Sequence, residues 1–390
     1  MVVLATDFRP SVGGIAESLH LIAHHLSRHV PVTVMTTVPQ SDAAWEHPYS
    51  LVQLPPLPER ALGARVGDGI VPLRKLHTGA YFLALRRQAS RAVRSLGSGA
   101  TALVGSWDTA AHFWCEACHR LGVPYAVFVH GAEVLLPLYG SLPDWRRRDF
   151  ARADHVLACS AATAELAHDR LGLARPAAVV NVPAGPRPGE QLVAGRAASL
   201  RAQLGLPRGP IVASVGRLVR RKGFDRVVRS VAAMAGECPD LSYVIAGAGP
   251  EAAELDALTA ALGVGGRVRR LGEVDELTKW ALYEIADVFA MPNRSLDGTD
   301  WEGFGIVFLE AALARRPSIA GRAGGTGDAV LDEVTGLRVD PEDQDALTAA
   351  LRRLLGDPEL RQRLGTSGEA MARTRFSGEA VAGRVWSALQ

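Results

Sequence analysis

The run "TDWEGFGIVFLEA", Thr299 to Ala311, holds two glutamates, Glu302 and Glu310, in an otherwise apolar, glycine-broken stretch. Neither a buried strand nor a buried helix needs these carboxylates for packing, and an ionised carboxylate out of water needs a partner. If both face one cleft, a molecule rich in hydroxyl groups suits them. A second string with chemistry is C-x-x-C-H, Cys115, Cys118 and His119, which matches c-type haem attachment. Nothing before it resembles an export signal, so the competing reading is a helix ending at Gly122 with both thiols packed inside. The four cysteines of the chain do not make a disulfide framework.

Elements must position these residues. A chain of 390 residues exceeds one ordinary core, so two domains are expected. The 48% hydrophobic and 22% charged fractions belong to a folded globular protein, and a net charge of +2 gives no field that would seek nucleic acid. No apolar run is long enough to span a bilayer, and the chain opens directly on a strand, so a cytoplasmic protein is expected. The first half alternates apolar runs with helical patterns, as βαβ units around a parallel sheet do. "VVLATDF", "PVTVMTT", "TALVGSW", "YAVFVHG", "HVLACS" and "AAVVNVP" read as strands, and "IAESLHLIAHHLSRH" as a helix with Ile15, Leu19, Ile22 and Leu26 on one face. The pattern dissolves from Ala184 to Pro210, apart from a helical fragment "AASLRAQLGL", then restarts with "PIVASVG", "LSYVIAG", "RVRRLGE", "VFAMP", "PSIAGR" and "GLRVD". The expected organisation is a domain over 1–184, a linker over 185–209, a second domain over 210–370, and a C-terminal helix over 371–390 that packs back on the first. Both domains read as doubly wound α/β halves.

Five pieces keep a family order in the second half: "VGRLVRRKGFD", "VIAGAGPE", "LGEVDELTKWALYEIADVFAMPN", "WEGFGIVFLEA" and "AGGTGDAVLDEVTGLRVDPED". They cover nearly all of residues 211–342 and resemble the nucleotide-sugar-binding domain of a retaining glycosyltransferase of the GT-B architecture, in the large family 4 group. The glycine pair Gly13–Gly14 and "VFVHG" add a consistent match in the first half. Within the family, "EGFGIVFLEA" most resembles bacterial enzymes that transfer mannose from GDP-mannose, such as the phosphatidylinositol mannosyltransferases. The resemblance implies two Rossmann-like domains facing each other across a cleft, the first for the acceptor and the second for the donor.

It also implies roles. Gly216 follows a buried strand, and Arg217 and Lys222 hold the donor's diphosphate, which needs fixed positive charge and backbone donors. Arg220 and Arg221 look like a solvated basic loop with charge to spare. Glu302 is placed against the donor sugar's hydroxyls and Glu310 accepts from the ribose. Between them Gly303, Phe304, Gly305 and Ile306 bring backbone close to the donor. Gly13 and Gly14 form the first strand-to-helix turn, near the donor phosphate or the acceptor. His130 ends a strand beside the transferred sugar. His130, Arg217, Lys222 and Glu302 are the expected catalytic group. No metal site is expected: the only D-x-D string, Asp343-Gln344-Asp345, reads as a helix start. No cofactor is expected either, and only Lys222 and Lys279 could serve the pyridoxal of a phosphorylase. Two departures stand out: "NVPAG", Asn181 to Gly185, replaces the family's asparagine-glycine-valine-aspartate turn, and Trp301 precedes Glu302, where it can reshape the sugar pocket.

The function implied is retaining transfer of a hexose, mannose from GDP-mannose first, to a hydroxyl of a lipid-linked or small-molecule acceptor. A UDP-sugar donor with a soluble acceptor is the alternative, and a non-catalytic sugar-nucleotide binding protein is the rival of another class. A lipid acceptor predicts a basic face meeting an anionic membrane, for which Arg87, Arg91 and Arg94, with Arg146, Arg147 and Arg148, are candidates; a plain solvated face is the competing reading.

Overall fold

The computed structural model describes residues 1–11, 13–40, 47–55, 71–135, 142–296 and 300–390. Contacts divide the chain into two compact units: Met1–Cys159 with Thr163–Val180 and Val381–Gln390, and Ser160–Ala162 with Asn181–Ala380.

Among the described residues, the first unit holds seven strands: β1 (Val2–Ala5), β2 (Thr33–Thr36), β3 (Ser50–Gln53), β4 (Ala102–Val104), β5 (Tyr125–Val129), β6 (His155–Ala158) and β7 (Ala178–Val179). They pair in parallel in the order β3-β2-β1-β4-β5-β6-β7. The second holds six: β8 (Ile211–Val215), β9 (Ser242–Ala246), β10 (Val268–Gly272), β11 (Val288–Met291), β12 (Ser318–Gly321) and β13 (Gly336–Val339), ordered β10-β9-β8-β11-β12-β13 and again parallel. Both are doubly wound, with the winding reversed between β1 and β4 and between β8 and β11. In open sheets of this kind, ligands bind at the carboxyl ends of the strands at that reversal.

Burial explains the regular elements. Strands β1, β5, β8 and β9 are buried at every position, the run that a strand covered on both faces requires. On the helix Phe224–Ala233, Phe224, Val227, Val228 and Val231 form one apolar stripe into the second core. Each such side chain contributes about 1.5–3 kcal/mol of burial, which anchors the basic turn just ahead of it.

Three details refine the sequence reading. β3 was not foreseen: it is an edge strand, mostly exposed, with no alternation to announce it. In the stretch 185–209, the helical fragment read in "AASLRAQLGL" belongs to a longer helix, Glu190–Gln203, which buries Val193, Ala197 and Leu200 in the second unit and donates from Arg196 Nε to Thr278 Oγ1 at 3.0 Å. For C-x-x-C-H, the helix reading and not haem attachment holds: Cys115 and Cys118 are fully buried on the helix Thr109–Leu121, which ends at Gly122 in the left-handed conformation. Burial pushes the Cys118 thiol up to about 12. No described helix is long and apolar enough to cross a membrane.

Candidate active site

The basic string of the second unit leaves β8 at Gly216, whose backbone adopts φ +151°. The segment runs tight against the end of β9: a Cβ on Gly247 would lie 1.9 Å from the Gly216 carbonyl oxygen, and one on Gly249 2.3 Å from that of Leu218. Gly216 N–H and Leu218 N–H donate to Ala246 and Ala248. One 3-10 turn, Arg220–Lys222, then closes at Gly223 in the left-handed conformation, so close to Pro292 that a Cβ would meet its oxygen at 2.4 Å. Arg294, 5% exposed, braces this turn from the loop after β11, donating to Arg220 O and Asp225 Oδ1 at 2.8 Å each.

That geometry turns Lys222 inward. Its Nζ lies 2.5 Å from Glu302 Oε2. The same oxygen accepts from Arg221 Nη1 at 2.8 Å and from Asn293 Nδ2 at 3.2 Å. Burial pushes the Glu302 carboxyl up, but Lys222 and Arg221 outweigh it and hold the group below the usual carboxylate value. Glu302 Oε1 has no protein donor among the described residues. The buried Asn293 Oδ1 likewise lacks a donor and the buried Trp301 Nε1 an acceptor, and buried polar atoms of this kind call for a partner. Arg221, expected as spare solvated charge, is instead part of the cluster, bridging Glu302 and, through Nε at 2.8 Å, Asp300 Oδ1. Arg217 is exposed, and its guanidinium has no partner among the described residues.

The glycines beyond Glu302 have steric reasons. Gly305 caps the helix Ile306–Leu313 at φ +91°, and a Cβ there would meet Phe308 at 2.6 Å. Gly324 and Gly325 press on Glu302 and Gly303 from the loop after β12: Cβ atoms would come within 2.3 Å of Glu302 O and 1.9 Å of Gly303 O. Gly325 N–H donates to Glu302 O at 2.8 Å. Phe304 turns its ring into the interior against Phe376, at 5.5 Å between centroids, so what it can offer a ligand is main chain. Ile306 opens the helix; Phe308 N–H already donates to Gly305 O at 3.0 Å, and the amides of Ile306 and Val307 ahead of it lack intrahelical acceptors.

The two glutamates do not share one set of partners. Glu310 sits in a helix otherwise apolar and buried from Phe308 on, and its oxygens accept from the neighbouring helix Glu276–Ile285: Oε1 from Lys279 Nζ and Oε2 from Tyr283 OH, both at 2.7 Å. Burial pushes its carboxyl up against the pull of Lys279. Lys279 lies above its usual value despite burial, because Glu310 and Glu276 face it. Each carboxylate oxygen keeps a second lone pair that a ligand hydroxyl could use. Neither Lys279 nor Tyr283 was assigned from the sequence, although their spacing of four on one helix puts them on one face.

In the first unit, His130 follows β5 and its Nε2 lies 2.8 Å from Gly105 O at the end of β4. A carbonyl only accepts, so Nε2 carries the hydrogen and Nδ1 is left over. The His130 N–H donates to the buried Glu133 at 2.5 Å, and Arg146 Nη1 donates to Glu133 O at 2.6 Å. Arg146 thus props the histidine loop and is not part of an outward basic face. Burial pushes the Asp7 carboxyl, after β1, upward, with His130 pulling it back. A Cβ on Gly13 would lie 3.9 Å from Asp7 Oδ2, and Gly13 and Gly14 are exposed where the helix Gly14–Leu26 begins. Asp7 was not foreseen; its place one strand from His130 emerges only from the β1–β4–β5 order. Among the described residues, no three His, Cys, Asp or Glu side chains gather as a metal-holding group.

Two family models match the chain in succession, Glycosyltransferase Family 4 over residues 12–184 and Glycosyl transferases group 1 over residues 198–371. The chain is 39% identical over 176 residues to the GDP-mannose-dependent alpha-(1-6)-phosphatidylinositol monomannoside mannosyltransferase of Mycolicibacterium smegmatis, a match covering 45% of this chain and 46% of that protein. It is 32% identical over 192 residues to the alpha-D-kanosaminyltransferase of Streptomyces kanamyceticus, 48% of each. The chain spans about half the length of the curated relatives it matches. Among solved structures it is similar to Anabaena HepE in complex with UDP and glucose, with a TM-score of 0.76 at 20% identity over 100% of this chain and 99% of that one. That likeness covers both doubly wound halves. The chain belongs to the family 4, group 1 glycosyltransferases and has their GT-B fold.

Proposed function

We propose that this chain is a retaining hexosyltransferase that moves mannose from GDP-mannose to a hydroxyl of a lipid-linked acceptor. The observation that carries it is the Glu302 cluster, where Lys222, Arg221 and Asn293 converge on one carboxylate oxygen and leave the other for a hydroxyl. It lies at the strand ends where the second sheet reverses its winding. Similarity to the Mycolicibacterium smegmatis mannosyltransferase supports GDP-mannose and a lipid acceptor. In this reading Arg217 and Lys222 take the diphosphate, Glu302 the sugar and Glu310 the ribose. The acceptor hydroxyl attacks from the face the leaving group departs, and the departing phosphate takes its proton. Catalysis is then positioning plus stabilisation of developing negative charge. His130, with Nδ1 left over, is assigned to the transferred sugar, and no metal takes part. A thermal-shift screen against GDP-, UDP- and ADP-sugars tests the donor: GDP-mannose should stabilise the protein most. Selective stabilisation by UDP-sugars would favour the alternative, and no response to any would sink the reading.

The proposed setting is the cytoplasmic face of a membrane, met by the first unit. Two adjoining cavities of about 480 and 450 Å³ share Leu83 and Arg86. One is walled by Phe82, His112, Phe113 and Trp145, the other by Arg87, Arg91, Arg94 and Arg120. Glu116 pairs with Arg86 at 2.9 Å, whereas Arg87, Arg91 and Arg94 have no acidic partner among the described residues. Cationic side chains beside aromatic ones suit anionic headgroups. Flotation with anionic but not neutral liposomes, lost on Arg87→Glu with Arg91→Glu, is the expected result; binding equal on both liposomes would refute it.

A further inference from the structure

The diphosphate reading gives Lys222 two anions to serve. Its ammonium is 2.5 Å from Glu302, whose side chain is 13% exposed. If that ammonium turns to a diphosphate, a carboxylate that lost its only cation would be left buried and unpaired, a state that costs several kcal/mol or ends in protonation. Glu302 has a second cation. Arg221 reaches the same oxygen at 2.8 Å and is tied on its other edge to Asp300 at 2.8 Å, so nothing in its own contacts frees it to follow the phosphate.

We infer that Arg221 is a positioning residue that keeps Glu302 ionised and aimed while Lys222 is handed over to the donor's diphosphate. The inference rests on the functional reading above. The groups facing Glu302 are few among the described residues. Lys222 and Arg221 come from the basic turn, and Asn293 comes from the loop after β11. Asp300 acts through Arg221, and Gly324 and Gly325 offer main chain only. Arg294, the remaining cation nearby, is committed to Arg220 O and Asp225. Among the described residues, no cationic side chain other than Lys222 and Arg221 acts on Glu302.

The test is a titration of Glu302 by carbon-13 carboxyl NMR, assigned with Glu302→Gln, in wild type, Arg221→Gln and Arg221→Lys, with and without inorganic pyrophosphate. An opposite charge within about 4–6 Å lowers a carboxyl pKa by about 1–3 units. Losing it should therefore raise Glu302 by about one unit or more in pyrophosphate-bound Arg221→Gln, and the acid limb of kcat should move up equally. Arg221→Lys keeps the charge but cannot bridge two carboxylates. It should titrate near wild type, whereas a purely structural role makes it as defective as Arg221→Gln. If Arg221→Gln does not fold, that rescue decides alone. Pyrophosphate binding with an unmoved Glu302 in Arg221→Gln, or an Arg221→Lys variant shifted up like a charge deletion, overturns the inference. Absence of pyrophosphate binding to wild type overturns the diphosphate reading instead.

Discussion

Arg217 and Lys222 share a proposed ligand but not an environment, and so Arg217→Ala and Lys222→Ala should separate. Arg217 is exposed and its guanidinium has no partner among the described residues, so its removal should cost within about 0.5 kcal/mol of stability. Lys222 is 8% exposed and bonded to Glu302. A charge-assisted bond is worth about 1.5–3 kcal/mol, and Arg221 and Asn293 remain on the same oxygen, so about 2 kcal/mol is expected for Lys222→Ala. In a unit of this size that is a fall of about 4–8 °C in Tm. The loss should depend on pH in one direction. Glu302 is held below its ordinary carboxyl value of 4.5, so its contribution is present above that value and fades as pH falls through the folded one. The gap in Tm between wild type and Lys222→Ala should therefore narrow below about pH 4.5. For the donor, both variants lose one contact of about 1.5–3 kcal/mol, roughly tenfold to more than a hundredfold in Kd. Differential scanning calorimetry at several pH values and donor titration calorimetry read both. Wild-type donor affinity in both variants would refute the diphosphate assignment, and a Tm gap that widens in acid would refute the pairing of Lys222 with Glu302.

Glu302→Gln should lower kcat strongly, because the sugar changes on the way to the transition state. Glu310→Gln, at the remote ribose, should mainly raise the donor KM; steady-state kinetics giving one profile for both would end that division. Transfer should survive EDTA, and activity abolished by chelator and restored by magnesium or manganese would contradict the metal-free reading. Gly325→Ala would place a Cβ 1.9 Å from Gly303 O, so backbone under Glu302 must shift. A stability loss of about 1–3 kcal/mol with a fall in kcat is expected, and a wild-type melt would show the contact to be slack.

Much of the fold was legible because parallel strands buried on both faces spell near-continuous apolar runs, as "YAVFV" and "IVASV" do. Edge strand β3 has no such run, and in the linker stretch only the fragment "AASLRAQLGL" read as helical, because the first turns of the helix Glu190–Gln203 are rich in glycine and alanine and its burial depends on a partner far along the chain. In the site, Lys222 and Glu302 were legible as types at motif positions, and the structure brings them together. Arg221 was not, since three adjacent cations look alike until the left-handed turn at Gly223, pressed on Pro292, decides which of them face inward. Lys279, Tyr283 and Asn293 escaped for a related reason. Their acceptors lie on other elements, and only the packing of two helices or the closeness of β8 and β11 makes the pairs.

Sugar transfer itself is the most direct test of the central claim. Purified protein should be given GDP-mannose labelled in the sugar, together with a phospholipid acceptor extract, and the lipid fraction followed with time. Label should pass to lipid with the anomeric configuration of the donor kept, and Glu302→Gln and Arg217→Ala should each cut the rate at least about tenfold. Label that stays on the nucleotide with every acceptor, or transfer unchanged in both variants, would contradict the account.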